Sequence, residues 1–220
     1  FVIVTEYNQQ VLGFLVHKVE RIINTNWDAI HAPPRGAGKG NYLTAVTELD
    51  GHLVEIIDVE RILAEVAPRS EEVDQSIASV VRSSSLENRH VLVVDDSVVA
   101  RKQLQRCLVG LDVKVTLKNN GQEAWQYLQQ LTDAGENIED KFLMIISDVE
   151  MPEMDGYTLT ASIRSDERMK GVYIMLHTSL SGMFNKAMVE KVGADDFLAK
   201  FQPDELATRV KDRMESLGVK

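Results

Sequence analysis

Three carboxylates follow two apolar stretches of this 220-residue chain, at positions where they could act together. Residues 91–94 are all apolar and lead directly into Asp95 and Asp96, and the apolar residues 142–146 lead through Ser147 into Asp148. A short apolar run of this kind is typical of a buried parallel strand. Because ligands bind at the carboxyl ends of the strands in open α/β sheets, these acids are candidates for a binding or catalytic site.

Two further strand ends carry groups that suit phosphate chemistry. Thr178 follows a strand predicted at residues 172–177, and Lys200 follows a short strand predicted at residues 197–199. Three carboxylates at close range raise the pKa of at least one of them unless a cation lies between, and oxygen ligands in an open cleft favour Mg²⁺. Asp148 is then a candidate nucleophile that forms an aspartyl phosphate, while Thr178 donates to a phosphoryl oxygen and Lys200 neutralises its charge.

Each of these residues also has a purely structural interpretation. Asp95 or Asp96 could cap the helix that begins near Val98, and a lysine at a strand end is often simply solvated. However, an acid pair, a single acid, a hydroxyl and a lysine occur in this order at the ends of predicted strands. Agreement among several such signals favours one shared site over separate structural roles.

Strands and helices alternate from residue 90 onward, and this alternation positions the candidate groups. Strands are predicted at residues 91–94, 113–117, 142–147, 172–177 and 197–199, and helices at residues 98–109, 122–131, 157–164, 183–192 and 205–217. The polar residues 134–141 are predicted to form a loop. The pattern predicts a flavodoxin-like α/β fold whose parallel sheet has the strand order 2-1-3-4-5. In this order the first and third strands are neighbours, so the three carboxylates should face each other.

The segment before residue 67 has a different, mostly β pattern. Strands predicted at residues 1–5 and 11–18 form one hairpin, and strands at 42–49 and 53–57 pair across Asp50-Gly51, a dipeptide typical of tight turns. A helical turn is predicted at residues 27–30, and a short helix at residues 59–66 closes the segment.

Residues 67–89 are predicted to link a domain at residues 1–66 to a second domain at residues 90–220. Pro68 breaks the preceding helix. Val73, Ile77 and the pair Val80-Val81 then recur at approximately helical spacing. We therefore expect a linker that contains a short helix able to pack on a neighbour.

The composition narrows the classes of partner. A formal net charge of −10 argues against non-specific binding to nucleic acid or to an anionic membrane. The longest apolar runs are far shorter than the roughly 20 residues that span a bilayer, so direct membrane insertion is not expected. The single cysteine, Cys107, excludes an intrachain disulfide and fits a reducing cytoplasm.

Residues 90–220 resemble a two-component response-regulator receiver domain over essentially their whole length. The matching blocks are Asp95-Asp96-Ser97, Asp148-Val149-Glu150-Met151-Pro152-Glu153-Met154-Asp155-Gly156, Thr178-Ser179 and Gly193-Ala194-Asp195-Asp196-Phe197-Leu198-Ala199-Lys200. One departure is that Lys200 is followed by Phe201 and Gln202, whereas receivers commonly place a proline directly after the lysine.

The receiver resemblance implies a role for each residue of the candidate site. Asp148 would accept phosphate from a kinase phosphohistidine, with Thr178 and Lys200 as its partners. Asp96, Asp148 and the backbone carbonyl of Glu150 would bind Mg²⁺ directly, and Asp95 would bind it through water. Thr178 and Phe197 match the switch pair of the family, in which the hydroxyl moves toward the phosphate and the ring reorients.

The first segment resembles the second half of a CheW-type chemotaxis coupling domain. The resemblance rests on Val11-Leu12-Gly13-Phe14-Leu15-Val16, on Tyr42-Leu43 and above all on Asp50-Gly51-His52-Leu53-Val54-Glu55-Ile56-Ile57-Asp58-Val59-Glu60-Arg61-Ile62-Leu63. That family folds as two small linked β-barrels and bridges chemoreceptors to a histidine kinase. The first half of the family's domain has no counterpart in these residues.

Together the two segments resemble the CheV type of chemotaxis coupling protein. The resemblance implies a cytoplasmic adaptor that is recruited to membrane receptor arrays and requires Mg²⁺ as its cofactor. Its partners would be the cytoplasmic tips of chemoreceptors and a CheA-type histidine kinase, which donates the phosphate. The receiver would act on itself and would not turn over a separate substrate.

Two alternatives belong to other classes. A Mg²⁺-dependent phosphatase of the haloacid-dehalogenase type would need two acids separated by one residue after the first strand, whereas Asp95 and Asp96 are adjacent and Ser97 follows. A DNA-binding response regulator would need a basic effector domain after the receiver, whereas this sequence stops at Lys220 and is acidic. The second alternative would therefore be a response regulator without its effector domain.

Overall fold

The computed structural model describes residues 1–7, 10–26, 29–33, 42–66, 73–83, 90–178, 183–200 and 202–218. The chain divides into two compact units, one made of Phe1–Ile3 with Gly13–Ser70 and the other of Val4–Leu12 with Glu71–Lys220. Within the described ranges, every helix is too short or too polar to cross a bilayer.

The first 66 residues are mostly β structure, as predicted. Their elements are β1 (Val2–Tyr7), β2 (Gln10–Leu15), β3 (Ile30–His31), β4 (Leu43–Leu49), β5 (His52–Ile57) and α1 (Val59–Val66). The predicted hairpin across Asp50-Gly51 is confirmed, because both residues have the positive φ (52° and 75°) that a type I′ turn requires. Among the residues of this segment whose side-chain burial the structure describes, only Val46 and Thr47 are buried.

The predicted helical turn at residues 27–30 is wrong at its end. Ile30 belongs to β3 and pairs with Thr47 of β4 in an antiparallel register, while residues 27–28 lie outside the described part of the chain. The Thr47 hydroxyl also donates to the Ala29 carbonyl at 2.8 Å. Pairing with β4 therefore overrides the local preference of this short stretch.

The second segment folds as five alternating strand and helix units. Its elements are β6 (His90–Val94), α3 (Val98–Gly110), β7 (Lys114–Lys118), α4 (Gly121–Asp133), α5 (Ile138–Lys141), β8 (Met144–Asp148), α6 (Gly156–Ser165), β9 (Ile174–Thr178), α7 (Met183–Val192), β10 (Asp196–Ala199) and α8 (Pro203–Ser216). The five strands form one parallel sheet in the order β7-β6-β8-β9-β10, which confirms the predicted order 2-1-3-4-5.

The sheet carries an apolar layer on each face. Val91 and Val93 point into a cluster that includes residues of α3 and α8, whereas Leu92 and Val94 point into a cluster that includes residues of α4 and α6. All four side chains are fully buried. Because helices cover both faces, β6 is a continuous apolar run and not an alternating one.

Side-chain caps start three of the helices just beyond the strand ends. Ser97 accepts from the Ala100 amide at the start of α3, Asn120 caps α4, and Asp155 caps α6. Such a cap satisfies an amide that has no partner within the helix. The caps fix where each helix begins and thus the length of the loops that bear the candidate residues.

The prediction of a loop throughout residues 134–141 is wrong, because residues 138–141 form the single-turn helix α5. Asn137 accepts from the Glu139 amide at 2.9 Å, and the Ile138 side chain is fully buried in the cluster beside α4. One buried apolar residue and one cap thus order a stretch whose composition is otherwise polar.

The predicted linker contains a helix, α2 (Gln75–Ser83), within the same compact unit as the five-stranded sheet. Ala78 and Val81 are 2% and 1% exposed and belong to the cluster on the α3 and α8 side of the sheet. Val73 and Ile77 are partly buried against the same cluster. The apolar spacing noted in the sequence therefore corresponds to one buried face of α2.

Candidate functional site

The strand register brings the candidate acids to one edge of the sheet. Val94 of β6 lies beside Ser147 of β8, so the residues that follow each of them are adjacent. Carboxylate oxygens of Asp95, Asp96 and Asp148 all lie within 4.8 Å of one another. Asp95 and Asp148 are buried, whereas Asp96 is exposed. The expected convergence of the three carboxylates is therefore present.

Lys200 reaches this cluster from the carboxyl end of β10, the strand at one margin of the sheet. Its Nζ donates to Asp148 Oδ2 at 2.8 Å and lies 3.0 Å from Asp95 Oδ2. The lysine is only 3% exposed, so both ion pairs are shielded from solvent. Its backbone amide donates to the Thr178 carbonyl at 2.9 Å, which fixes the end of β10 against the end of β9.

The remaining carboxylate oxygens are held by backbone amides. Asp148 Oδ1 accepts from the Val149 amide at 2.7 Å, and Asp95 Oδ1 accepts from the Ser97 amide at 2.9 Å. These bonds fix the orientation of both carboxylates before any ligand binds. The exposed Asp96 is the member of the cluster that faces solvent most directly.

The electrostatic balance of the cluster is unfavourable for a fully ionised state. The pKa of Asp148 is raised to about 7, chiefly by burial and also by the neighbouring charges of Asp95 and Asp96, while Lys200 acts in the opposite direction. Two buried carboxylates and a third exposed one face a single ammonium group. The donor set therefore fits a hard cation with oxygen ligands, which would lower the repulsion among the acids.

Three other predicted site residues lie near this edge. Thr178 is the last residue of β9 and is fully buried, and Phe197 of β10 is half-buried among Val189 and other apolar side chains. The Glu150 side chain is exposed, two residues after Asp148. Ser179 lies outside the described residues. The carbonyl role of Glu150 and the switch roles of Thr178 and Phe197 stay predictions.

Gly156 is a site residue whose role the sequence did not reveal. A Cβ atom at this position would lie 2.0 Å from the carbonyl oxygen of Asp148 and 3.0 Å from the Cα of Val149. The Gly156 amide donates to the Val149 carbonyl at 2.9 Å. Glycine thus lets the start of α6 pack directly against the backbone of Asp148. In the sequence, the dipeptide Asp155-Gly156 was the only signal of this contact.

His177 is a second residue that sequence reasoning missed. It pairs with Asp148 across the strands β8 and β9 and is 2% exposed. Burial, together with the nearby charge of Lys200, lowers the pKa of His177 to about 3. The imidazole is therefore neutral in the folded protein near pH 7.

The buried histidine predicts an acid-sensitive stability. Below its ordinary pKa of 6.5, His177 takes up a proton in the unfolded chain but not in the folded one, so stability falls as the pH falls. At pH 5 this linkage costs about 2 kcal/mol. We expect His177→Leu to lose less stability than wild type between pH 7 and pH 5, measured by urea unfolding at both pH values. Parallel changes in the two proteins would contradict this prediction.

Comparison with known families assigns most of the chain. Residues 91–211 match the family described as the response regulator receiver domain, and residues 1–67 match the CheW-like domain. Chemotaxis protein CheV1 of Helicobacter pylori (strain ATCC 700392 / 26695) is 29% identical over 97% of this chain. The chain spans 66% of the length of that relative.

Solved structures resemble the second segment. The chemotaxis protein CheY4 of Vibrio cholerae is 28% identical over 57% of this chain and 98% of its own, with a TM-score of 0.50. The receiver domain of a sensor histidine kinase from Pseudomonas aeruginosa PAO1 is 25% identical over 58% of this chain and 98% of its own, also with a TM-score of 0.50. That receiver is described with a magnesium ion in its active-site cleft.

Proposed function

Because the chain belongs to the response regulator receiver family and joins its receiver to a CheW-like segment, we propose that it is a phosphorylatable chemotaxis signalling adaptor of the CheV type. The domains are proposed to be residues 1–66 for coupling and residues 90–220 for phosphate reception. One observation carries the proposal: Asp95, Asp96, Asp148 and Lys200 converge at one edge of a receiver sheet.

Asp148 is the proposed phosphoacceptor. A carboxylate oxygen of Asp148 attacks the phosphorus of the donor, the bond from phosphorus to the donor atom breaks, and an aspartyl phosphate forms. Lys200, which already contacts Asp148, neutralises charge on the transferred group, and the Thr178 hydroxyl donates to one of its oxygens. The product stays on the protein, so the receiver changes its own state and does not turn over a substrate.

The proposed cofactor is Mg²⁺. Asp96, Asp148 and the Glu150 carbonyl would bind it directly, and Asp95 would bind it through water, since both Asp95 oxygens already lie near protein donors. The ion would supply positive charge to the phosphoryl oxygens during transfer. Thr178 and Phe197 are proposed to respond to the phosphate as the family's switch pair.

The proposed partners follow from the two segments together. A CheA-type histidine kinase would donate the phosphate, and the CheW-like segment would couple that kinase to the cytoplasmic tips of chemoreceptors. The protein would then work in the cytoplasm at membrane receptor arrays. The acidic balance of the chain, with a net charge of −10, supports protein partners over nucleic acid.

The adaptor role predicts a phosphate-dependent change in kinase activity. In a mixture of receptor fragment, kinase and this protein, acetyl phosphate with Mg²⁺ is expected to shift the rate of kinase autophosphorylation when wild-type protein is present. Without acetyl phosphate, Asp148→Asn is expected to couple receptor to kinase as well as the wild type does. Addition of acetyl phosphate is expected to leave the rate of kinase autophosphorylation unchanged with this variant. Equal responses from the two proteins would contradict the regulatory role of Asp148.

A further inference from the structure

The helix α2 is built into the receiver as one of its core elements. It packs along α8, and its buried residues Ala78 and Val81 lie in the same apolar cluster as Leu206 and Val210 of that helix. Both buried residues are at most 2% exposed, as little as the central strands of the sheet. Burial of apolar side chains to this degree stabilises α2 against the receiver, so this part of the linker is not a flexible tether.

Hydrogen bonds fasten both ends of α2 to the receiver. Just before its start, the Asp74 amide donates to Asp204 Oδ1 in the first turn of α8 at 2.8 Å. In its last turn, the Arg82 guanidinium donates to the carbonyl of Gly110 at the end of α3, with its Nε at 2.8 Å. Contacts at both ends leave α2 with one defined position on the receiver.

The anchor at the start of α2 is close in the chain to the candidate site. Lys200, which donates to Asp148 Oδ2, stands three residues before Pro203, where α8 begins. The next residue, Asp204, accepts from the Asp74 amide. A phosphoryl group on Asp148 would offer Lys200 a new acceptor in place of Asp148 Oδ2. Because α8 begins three residues after Lys200, its first turn would respond to the resulting shift of the lysine.

We propose that α2 is the output element of the receiver, and that phosphorylation of Asp148 loosens this helix through Lys200 and Asp204. The inference rests on the proposed phosphorylation of Asp148. The inference adds a route from the phosphorylation site toward the CheW-like segment. The helix α2 directly precedes β6 of the receiver, and the CheW-like segment precedes α2 in the chain. A modification can shift such an element only by favouring one of two states, and the two states proposed here differ in whether the Asp74–Asp204 bond is made.

Hydrogen–deuterium exchange of the full chain tests the route. We expect the amides of residues 77–83 to exchange about tenfold faster after treatment with acetyl phosphate and Mg²⁺. Intact mass, measured on the same sample, reports the phosphate itself. Phosphate on the protein with unchanged exchange in α2 would overturn the inference and leave the proposed function standing. Absence of phosphate on wild type would overturn the proposed function and the inference with it.

Two variants on α8 distinguish the effect of losing the Asp74–Asp204 hydrogen bond from the effect of removing any acid from this helix. Asp204→Ala removes the acceptor for the Asp74 amide. The α2 amides of this variant are therefore expected to exchange fast even without phosphate, and phosphorylation should increase their exchange rate little further. Asp212→Ala removes an exposed acid of the same helix and is expected to behave like wild type. A wild-type exchange pattern in Asp204→Ala would overturn the role of this bond.

Discussion

Asp148→Asn is expected to abolish phosphate uptake from acetyl phosphate and Mg²⁺, because an amide oxygen is not a nucleophile at this position. Wild-type protein should gain one phosphate that is stable in acid and labile in base, as an acyl phosphate is. Intact mass before and after brief treatment with base measures both properties. The variant should remain at the unmodified mass throughout.

The loss can be separated from misfolding. The pKa of Asp148 is raised to about 7, chiefly by burial, so its ionised form costs the folded protein stability as the pH rises through this value. Asp148→Asn removes that cost and is expected to be at least as stable as wild type at pH 8. Asp133→Asn, an exposed acid on α4, is the matched control and should be labelled normally. Labelling of Asp148→Asn at the wild-type level would show that another residue accepts the phosphate.

Gly156→Ala is expected to damage both the fold and the chemistry. The new Cβ would meet the Asp148 carbonyl oxygen at 2.0 Å, and backbone atoms cannot move aside as a flexible side chain can. Overpacking of this kind costs about 3 kcal/mol. The clash also shifts the backbone of Asp148, the proposed phosphoacceptor, and a displacement of about 1 Å at a reacting group lowers the rate about 100-fold.

Gly110→Ala provides a matched control for this substitution. Gly110 ends α3, and a Cβ there would have no neighbour within 4 Å, so this alanine is expected to leave stability unchanged or slightly raised. Thermal unfolding and the rate of labelling with acetyl phosphate measure both variants. A Gly156→Ala protein with wild-type labelling kinetics would show that α6 does not position Asp148.

The order of the strands and the place of the three acids followed from the sequence for a physical reason. A strand buried on both faces is apolar along its whole length, so residues 91–94 and 142–146 stand out, and the first polar residue after each marks the sheet edge. Parallel pairing then aligns those edges. The same argument placed Thr178 and Lys200 at the ends of β9 and β10.

The features that the sequence did not reveal depend on contacts between distant segments. The spacing of apolar residues predicted a helix near Val73 to Val81, but not that α8 would cover it. The helix α5 depends on a cap and one buried isoleucine, which give no periodic pattern. Likewise, His177 is neutral only because the surrounding core buries it, and no local pattern shows that.

The sheet order also determines when, during folding, the proposed phosphate site forms. Asp148 and Lys200 are 52 residues apart, and β6 joins β8 only after the chain has passed through β7 and three helices. Contacts between distant residues form late, since the chain entropy lost in closing such loops comes before any stabilisation. Helices such as α3 can therefore form on a newly made chain well before the site exists. The proposed phosphorylation of Asp148 should therefore begin only when the sheet has closed, and an incompletely folded chain should not take up phosphate.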